Sequence, residues 1–447
     1  MSRAGESVRR TFSSLDERNF RLYLIGQLVS AIGTWVNATA TAWLVLRLSD
    51  SGIALGLNTA LLFLPILLFG AFGGVLADRV DKRRILIVTQ SLFAVISLTL
   101  WVLVGTGAVQ LWMVYALSLL NGLVTAVDNP TRQSFYVEMV GTDRVTNAVS
   151  LNSATFTGAR MVGPALAGLL IYKVGTASCF LVDGLSYLGV IAALVRMRVA
   201  EMHPQRRTTR ERGHLKAGFQ YVWRTDELRR PLLVMSVIFA FSLNFAVLLP
   251  LLATRKFHGG AVTLGALSGM GGLGSFMGAI VLANRAAHPT MKRLGVFGVA
   301  SGAALAAVGL APSLHLALLA MVPVGFTVMA FMITGNTILQ INAKPQARGR
   351  VMALYGIVFL GSTPIGAPIA GWIGQHLGAG TAMVLSGAVA LATGTVTLWL
   401  RQRSGGRRFV VDPPGAARLD AADVEDRSVL QAELEAEEPR AGALFPP

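Results

Sequence analysis

The chain has 447 residues, 53% of them apolar and only 14% charged, with a formal net charge of +16. Soluble domains carry about 25% charged residues, and runs of roughly 20 nearly uncharged residues, enough helix to cross a bilayer core ~30 Å thick, recur between short basic clusters. A soluble protein is therefore excluded. With one cysteine, Cys179, an internal disulfide is impossible, and no cysteine–histidine spacing suits a metal, so neither a metal nor a cofactor is expected.

In chain order, a polar segment at 1–20 precedes an apolar run far longer than a cleavable signal sequence, which reads as an uncleaved anchor. Spanning helices are predicted at 21–46, 53–77, 84–105, 110–129, 148–172, 177–197, 231–253, 262–284, 293–311, 315–336, 350–374 and 379–400. Arg3, Arg9, Arg10, Arg18 and Arg21 lie before or at the start of the first. Thereafter alternate connections are basic: Arg79 with Lys82, Arg83 and Arg84; Arg132 and Arg144; the 196–230 segment; Arg285, Lys292 and Arg293; Lys344, Arg348 and Arg350. The other connections hold only Arg47, Lys173, Arg255 and Lys256. This bias puts both termini in the cytoplasm and the chain in the inner membrane with an even number of crossings. The positive charge is thus topological, and no nucleic-acid partner is expected.

Six helices at 21–197 form one bundle and six at 231–401 a second. A linker at 198–230 joins them, and 402–447 is a polar, acidic cytoplasmic tail that reads as largely disordered. Within the linker, Leu215, Phe219, Val222 and Trp223 recur at helical spacing, which fits either an amphipathic helix on the cytoplasmic leaflet or one packed on the bundle. The bundles repeat. Val75-Leu76-Ala77-Asp78-Arg79 matches Val281-Leu282-Ala283-Asn284-Arg285 at an offset of 206. At an offset of 203, Leu151, Phe156, Gly158, Gly163, Ala167, Gly168, Gly175 and Gly184 match Leu354, Phe359, Gly361, Gly366, Ala370, Gly371, Gly378 and Gly387. Two parallel-related six-helix halves are the plan of the major facilitator fold, an all-α membrane protein whose substrate sits between the halves near mid-membrane.

The string Gly73-Gly74-Val75-Leu76-Ala77-Asp78-Arg79-Val80-Asp81-Lys82-Arg83-Arg84 resembles the loop after the second helix in the major facilitator superfamily, with Asp81 where that pattern has glycine. The resemblance implies a conformational clamp drawn from Gly74, Asp78, Arg79, Lys82, Arg83, Asp128, Arg132 and Arg350. Asp78 would accept hydrogen bonds at the start of the eleventh helix near Gly349-Arg350, holding an outward-open state, and Lys82 would pair with Asp128. A plain solvated basic loop is the alternative. Further matches are Gly33-Thr34-Trp35, the block from Asp128-Asn129-Pro130 through Arg132 and Glu138 to Val140, the stretch Ala159-Arg160-Met161-Val162-Gly163-Pro164, and Phe180 through Tyr187. With Gly349-Arg350 and Leu360-Gly361-Ser362-Thr363-Pro364-Ile365-Gly366, these make residues 15–400 similar to the drug:proton antiporter-3 branch, which includes enterobactin-type siderophore exporters and macrolide pumps.

Gly158, Gly163 and Gly168, with Pro164, suit a bent, closely packed fifth helix, and Gly361, Gly366 and Gly371 repeat the pattern in the eleventh. Static packing is the alternative to rocking. Arg160 lies near mid-membrane, where a charge costs at least ~2.5–3.5 kcal/mol unless it meets water or a partner. Asp183, the acidic residue deepest within a span, lies about 8 Å shallower, so direct pairing is not expected. Asp183 is the candidate for proton coupling; an ion pair or buried cap is the alternative. The resemblance implies that the first, fourth, seventh and tenth helices line the cavity. They supply Thr34, Trp35, Asn37, Thr41, Asn121, Phe241, Asn244 and Asn336, with Arg160 from the fifth.

The chain has no phosphate-cradling loop and no clustered catalytic residues, so it is not expected to be an enzyme. The expectation is a monomeric exporter of amphipathic small molecules, drugs or siderophore-like compounds, working by alternating access with protons as counter-ion and membrane lipid as surroundings. An importer of a neutral or weakly anionic metabolite, or a membrane sensor, remains open.

Overall fold

Uncharged helices span because a bilayer core leaves backbone groups no partner but one another. The computed structural model describes residues 13–203, 214–284, 289–344 and 347–403; the acidic tail, the middle of the linker and Arg285 lie outside them. Among the described residues every regular element is helical. The helices are α1 (Arg18–Ser49), α2 (Gly52–Arg79), α3 (Lys82–Gly105), a 63-residue run Leu111–Lys173, and α6 (Thr176–Val195). Gly141 breaks the long run with φ 73° and ψ 175°, dividing it into α4 at 111–140 and α5 at 142–173. The chain reverses there. Gln27 and Trp35, about 12 Å apart along α1, touch Arg132 and Gly163, which would be ~46 Å apart on a straight helix.

In the second half α7 comprises Asp226–Ser242 and Phe245–Leu251, followed by a π-helical turn at Leu252–Lys256. Then come α8 (Ala261–Asn284), α9 (Met291–Leu310), α10 (Leu314–Asn342), α11 (Arg348–Gly361 and Thr363–His376) and α12 (Ala379–Arg403). Eleven helical runs are long and apolar enough to cross a membrane, and the longest supplies two crossings.

Several expectations change at the ends. Residues 130–147, read as a basic loop, are helical on both sides of Gly141, so Arg132 and Arg144 sit on α4 and α5. Ser13–Asp16 forms a 3₁₀ turn docked on α5, where the Ser14 N–H donates to Asn147 Oδ1 at 3.0 Å and Arg144 pairs with Glu17 at 2.9 Å. Asp81 needs no positive φ: at φ −57° it caps α3, accepting from the Arg84 N–H at 3.0 Å.

Both halves use one packing plan. The pairs α1–α5, α2–α4 and α3–α6 correspond to α7–α11, α8–α10 and α9–α12, while α2–α11 and α5–α8 join the halves. The repeated glycines occupy matching places. Gly175 and Gly378 both turn with positive φ, 101° and 90°, a conformation costly to residues bearing a Cβ. Gly163 packs on Trp35 of α1, and Gly366 packs on Ala240 and Asn244 of α7.

The linker helix, His214–Arg224, presents two sides. Val222 is buried against the second half, and Tyr221 Oη accepts from the Lys344 N–H at 3.3 Å. Phe219 and Trp223 stack on each other with ring centroids 5.4 Å apart and stay half exposed.

Candidate functional site

Where α1, α5, α7, α8 and α10 converge between the halves, a cavity of about 120 Å³ opens. Its wall is mostly apolar, including Phe245, Leu249 and Val324, with small residues where α8 and α10 approach closely. Arg160 is the cation in the wall. Its guanidinium lies over the Trp35 indole, 5.4 Å from the ring centroid, and that indole also meets Phe156 edge-on at 6.1 Å. Arg160 has neither an ion pair nor a hydrogen bond among the described residues. Ser268 on α8 adds a hydroxyl, and Trp35 Nε1 is buried without an acceptor among the described residues.

Asp183 on α6 lies elsewhere, enclosed in the first half and 1% exposed. Asn37 Nδ2 donates to its Oδ2 at 2.6 Å, and the Ser97 hydroxyl from α3 donates to the same oxygen. Among the described residues Oδ1 has no hydrogen-bond partner, and it faces Gly33 closely enough that a Cβ there would crowd it at 3.1 Å. Asn37 is therefore taken up inside the bundle rather than on the cavity wall, and Thr41 donates to Asn37 Oδ1 at 3.0 Å. The pairing of Asp183 with Arg160, not expected from their depths, does not occur.

At the basic end, Asp128 on α4 is 2% exposed and anchors a network. Arg132 donates to Asp128 Oδ2 from Nε and Nη2, at 3.0 and 2.6 Å, and also to Gln27. Thr89 and Gln90 donate to Asp128 Oδ1 at 2.7 and 2.9 Å. Lys82 pairs with Glu138 at 2.5 Å, not with Asp128 as expected. The reason is the length of α4: it continues past 129, so Asp128 lies nearly three turns inside and Glu138 takes the membrane-edge position. Arg83 donates to Leu194 O and Val195 O at 2.6 and 2.9 Å, satisfying the last carbonyls of α6. Gly74 is buried and Arg79 exposed at the end of α2, and Arg350 is half-buried near the start of α11. The Asp78 side chain lies outside the described residues.

The two ends of the half–half interface differ. At the end away from the basic clusters, α2 and α11 touch backbone to backbone: a Cβ at Gly52 would lie 2.5 Å from Gly371 O, and one at Gly56 2.6 Å from Ala367 O. Gln375 Oε1 accepts from the Ser51 hydroxyl at 2.8 Å and from the Ile53 N–H at 3.2 Å. On the other flank Gly168 packs on Ala261, and a Cβ at Gly265 would lie 2.5 Å from Pro164 O. Arg255 donates to Asp50 O across the same end. Toward the basic end, by contrast, a Cβ at Gly158, Gly349 or Gly356 would meet nothing within 4 Å.

The remaining predicted cavity residues scatter. Thr34 donates to Ser30 O, Asn121 accepts from Thr125, and Asn336 accepts from Gln340 at 2.5 Å. Asn244 sits at the break in α7 and donates to Ala240 O at 2.8 Å. Phe241 is 40% exposed and makes no ring contact among the described residues; Phe239 instead forms the aromatic cluster, with Tyr355 and Phe359. Gly361 packs on Leu67 of α2. Sequence reasoning missed Ser97, Thr89, Gln90, Gln27 and Ser268. Polar residues on otherwise apolar helices were the available signal, but their partners lie up to 105 residues away in sequence.

A family model described as transmembrane secretion effector matches residues 9–410. Among curated relatives, the Staphylococcus aureus staphyloferrin A transporter is 25% identical over 56% of this chain and 63% of its own length. Macrolide efflux protein A of Streptococcus pyogenes is 23% identical over 83% of this chain and 93% of its own. The multidrug efflux pump Tap of Mycolicibacterium fortuitum is 24% identical over 85% and 95%. A solved bacterial homologue of the human lysosomal transporter Spinster, inward-facing and unoccupied, aligns with a TM-score of 0.65 at 15% identity, over 86% of this chain and 94% of that one. The nucleoside transporter NupG aligns with a TM-score of 0.69 at 11% identity, over 86% and 98%.

Proposed function

The chain belongs to the transmembrane secretion effector family of major facilitator transporters, and from that premise we propose that it exports amphipathic small molecules from the cytoplasm by proton-coupled alternating access. One observation carries the reading: the cavity at Arg160 lies between two halves that touch backbone to backbone at the end away from the basic clusters, a contact that Gly158, Gly349 and Gly356 do not repeat toward the basic end. The basic clusters lie at the open end. Positive loops stay cytoplasmic, so the open end faces the cytoplasm in the inner membrane, with both termini there, and cargo enters from inside. Efflux activity named for the relatives supports the same direction.

The glycine contacts allow the halves to separate cleanly. Small residues let these helix backbones approach closely without interlocking side chains. The cation network of Lys82, Arg132 and Arg83 holds the basic end of the first half as one body while it moves. Opposite it, Asp78 and Arg350 would meet once the halves close at the basic end. Asp183 is the coupling candidate because the matching position in the second half is Ser386, so the shared packing plan does not require a carboxylate there.

Flux into everted vesicles tests this, using a panel of macrolides, dyes and ferric-siderophore ligands. Accumulation abolished by an uncoupler is expected for at least one member. Accumulation indifferent to the uncoupler would remove the coupling, and uptake in the opposite sense would remove the direction.

A further inference from the structure

We propose that the cavity selects its cargo by charge, taking amphipathic carboxylates and rejecting permanent cations. This rests on the export reading and adds the chemical class of the cargo.

The argument begins with a charge inventory. No Asp or Glu occurs between Glu227 and Asp412, and Asp226 and Glu227, in the first turn of α7, do not line the cavity, so the second half presents no anion to it. In the first half, Asp183 is sequestered by Asn37 and Ser97 away from the cavity wall, and Asp128 is consumed by Arg132, Thr89 and Gln90. What the cavity does present is the Arg160 guanidinium, with five N–H donors and no acceptor. A cation at this depth is costly unless a counter-charge or water meets it, and the protein supplies no counter-charge among the described residues. The free molecule therefore carries an unmatched positive site, and an anionic cargo completes it.

The neighbouring groups suit a carboxylate joined to an aromatic or aliphatic body. Trp35 lies against the guanidinium and is itself met edge-on by Phe156, while the planar fork of donors suits a bidentate contact with two oxygens. Ser268 lines the same cavity and makes no hydrogen bond among the described residues, so its hydroxyl is available as a further donor. Phe245, Leu249 and Val324 provide an apolar bed. The cavity volume, about 120 Å³, is below the ~300–1,000 Å³ of drug-sized pockets; it receives the head of the cargo while the body extends toward the open end. A cationic drug in the same place would face Arg160 with no carboxylate to offset it.

Binding to the purified full-length protein in nanodiscs tests the selection, with three probes sharing one aromatic body: 1-pyrenebutyrate, neutral 1-pyrenebutanol and a pyrenebutyl-trimethylammonium salt. The wild type is expected to prefer the carboxylate over the alcohol by roughly tenfold or more, as charge-assisted hydrogen bonds do, and to bind the ammonium weakest. Arg160→Gln should remove the carboxylate preference while retaining alcohol binding, which also reports that the variant is folded; Arg160→Lys should restore part of it. Wild-type protein binding the ammonium as tightly as the carboxylate would overturn the proposal without any variant. So would an unchanged preference in Arg160→Gln. The export reading fails separately: anion-selective binding without gradient-driven flux removes export alone, and gradient-driven flux without anion preference removes the selection alone.

Discussion

In the first half, buried or edge carboxylates recur on α4 and α6, and each is met by donors from neighbouring helices: Asp128 by Thr89 and Gln90, with Arg132 of its own helix, Glu138 by Lys82, Asp183 by Asn37 and Ser97. In the second half the corresponding helices meet through glycine. A Cβ on Gly302 of α9 would lie 2.5 Å from Gly387 O of α12, and one on Gly309 2.7 Å from Gly380 O. Where α6 carries Asp183, α12 carries Ser386, whose carbonyl accepts from the Ser242 hydroxyl at 2.8 Å. One backbone plan thus tolerates a charged and an uncharged interior. The carboxylates answer to something other than the fold, and the cavity takes its charge from the first half alone.

The comparison can be broken by removing each kind of contact. The largest effect is expected for Asp128→Ala, which leaves the Arg132 guanidinium buried without its counter-charge; loss of one partner of a buried pair costs about 3–5 kcal/mol. A thermal or denaturant midpoint of the purified protein reads this, and an unchanged midpoint would mean the network contributes nothing to the first half. Next is Gly302→Val in the second half, where overpacking costs about 1–3 kcal/mol, read as a lowered midpoint and reduced yield. Asp183→Ser, which copies the second half at that place, should keep the protein folded and still able to bind 1-pyrenebutyrate while abolishing uncoupler-sensitive flux in vesicles. Retained flux would return Asp183 to a packing role. The smallest change is expected for Phe219→Ala on the exposed side of the linker helix, within ~0.5 kcal/mol of wild type by the same midpoint.

Much of this was legible beforehand, and the reason differs by element. Twelve crossings, the repeat and the glycine positions follow from hydropathy and spacing, which are properties of one helix at a time. Gly163 and Gly366, found by offset alone, do pack at matching places. The partner of Lys82 was misassigned because it depended on how far α4 extends past the membrane edge, and the polar block 130–147 gave no sign that it would stay helical. The helix of Asn37 lines the cavity, which on its own points the amide there; the face it takes is decided by Asp183, 146 residues away. Arg160 was found because a charge at mid-membrane is rare enough to stand out, and its stacking on Trp35 required the packing of α1 against α5.

The pivoting of two halves about the Arg160 cavity is tested most directly by paired distances. Spin labels at Ser49 and His376 report the closed end, and labels at Arg79 and Arg348 report the basic end, both in a Cys179→Ser background in proteoliposomes. Without a gradient, a short first distance and a long second one are expected. With a proton gradient imposed, the first should lengthen as the second shortens. Two distances that lengthen together, or a pair that never exchanges, would contradict alternating access in this chain.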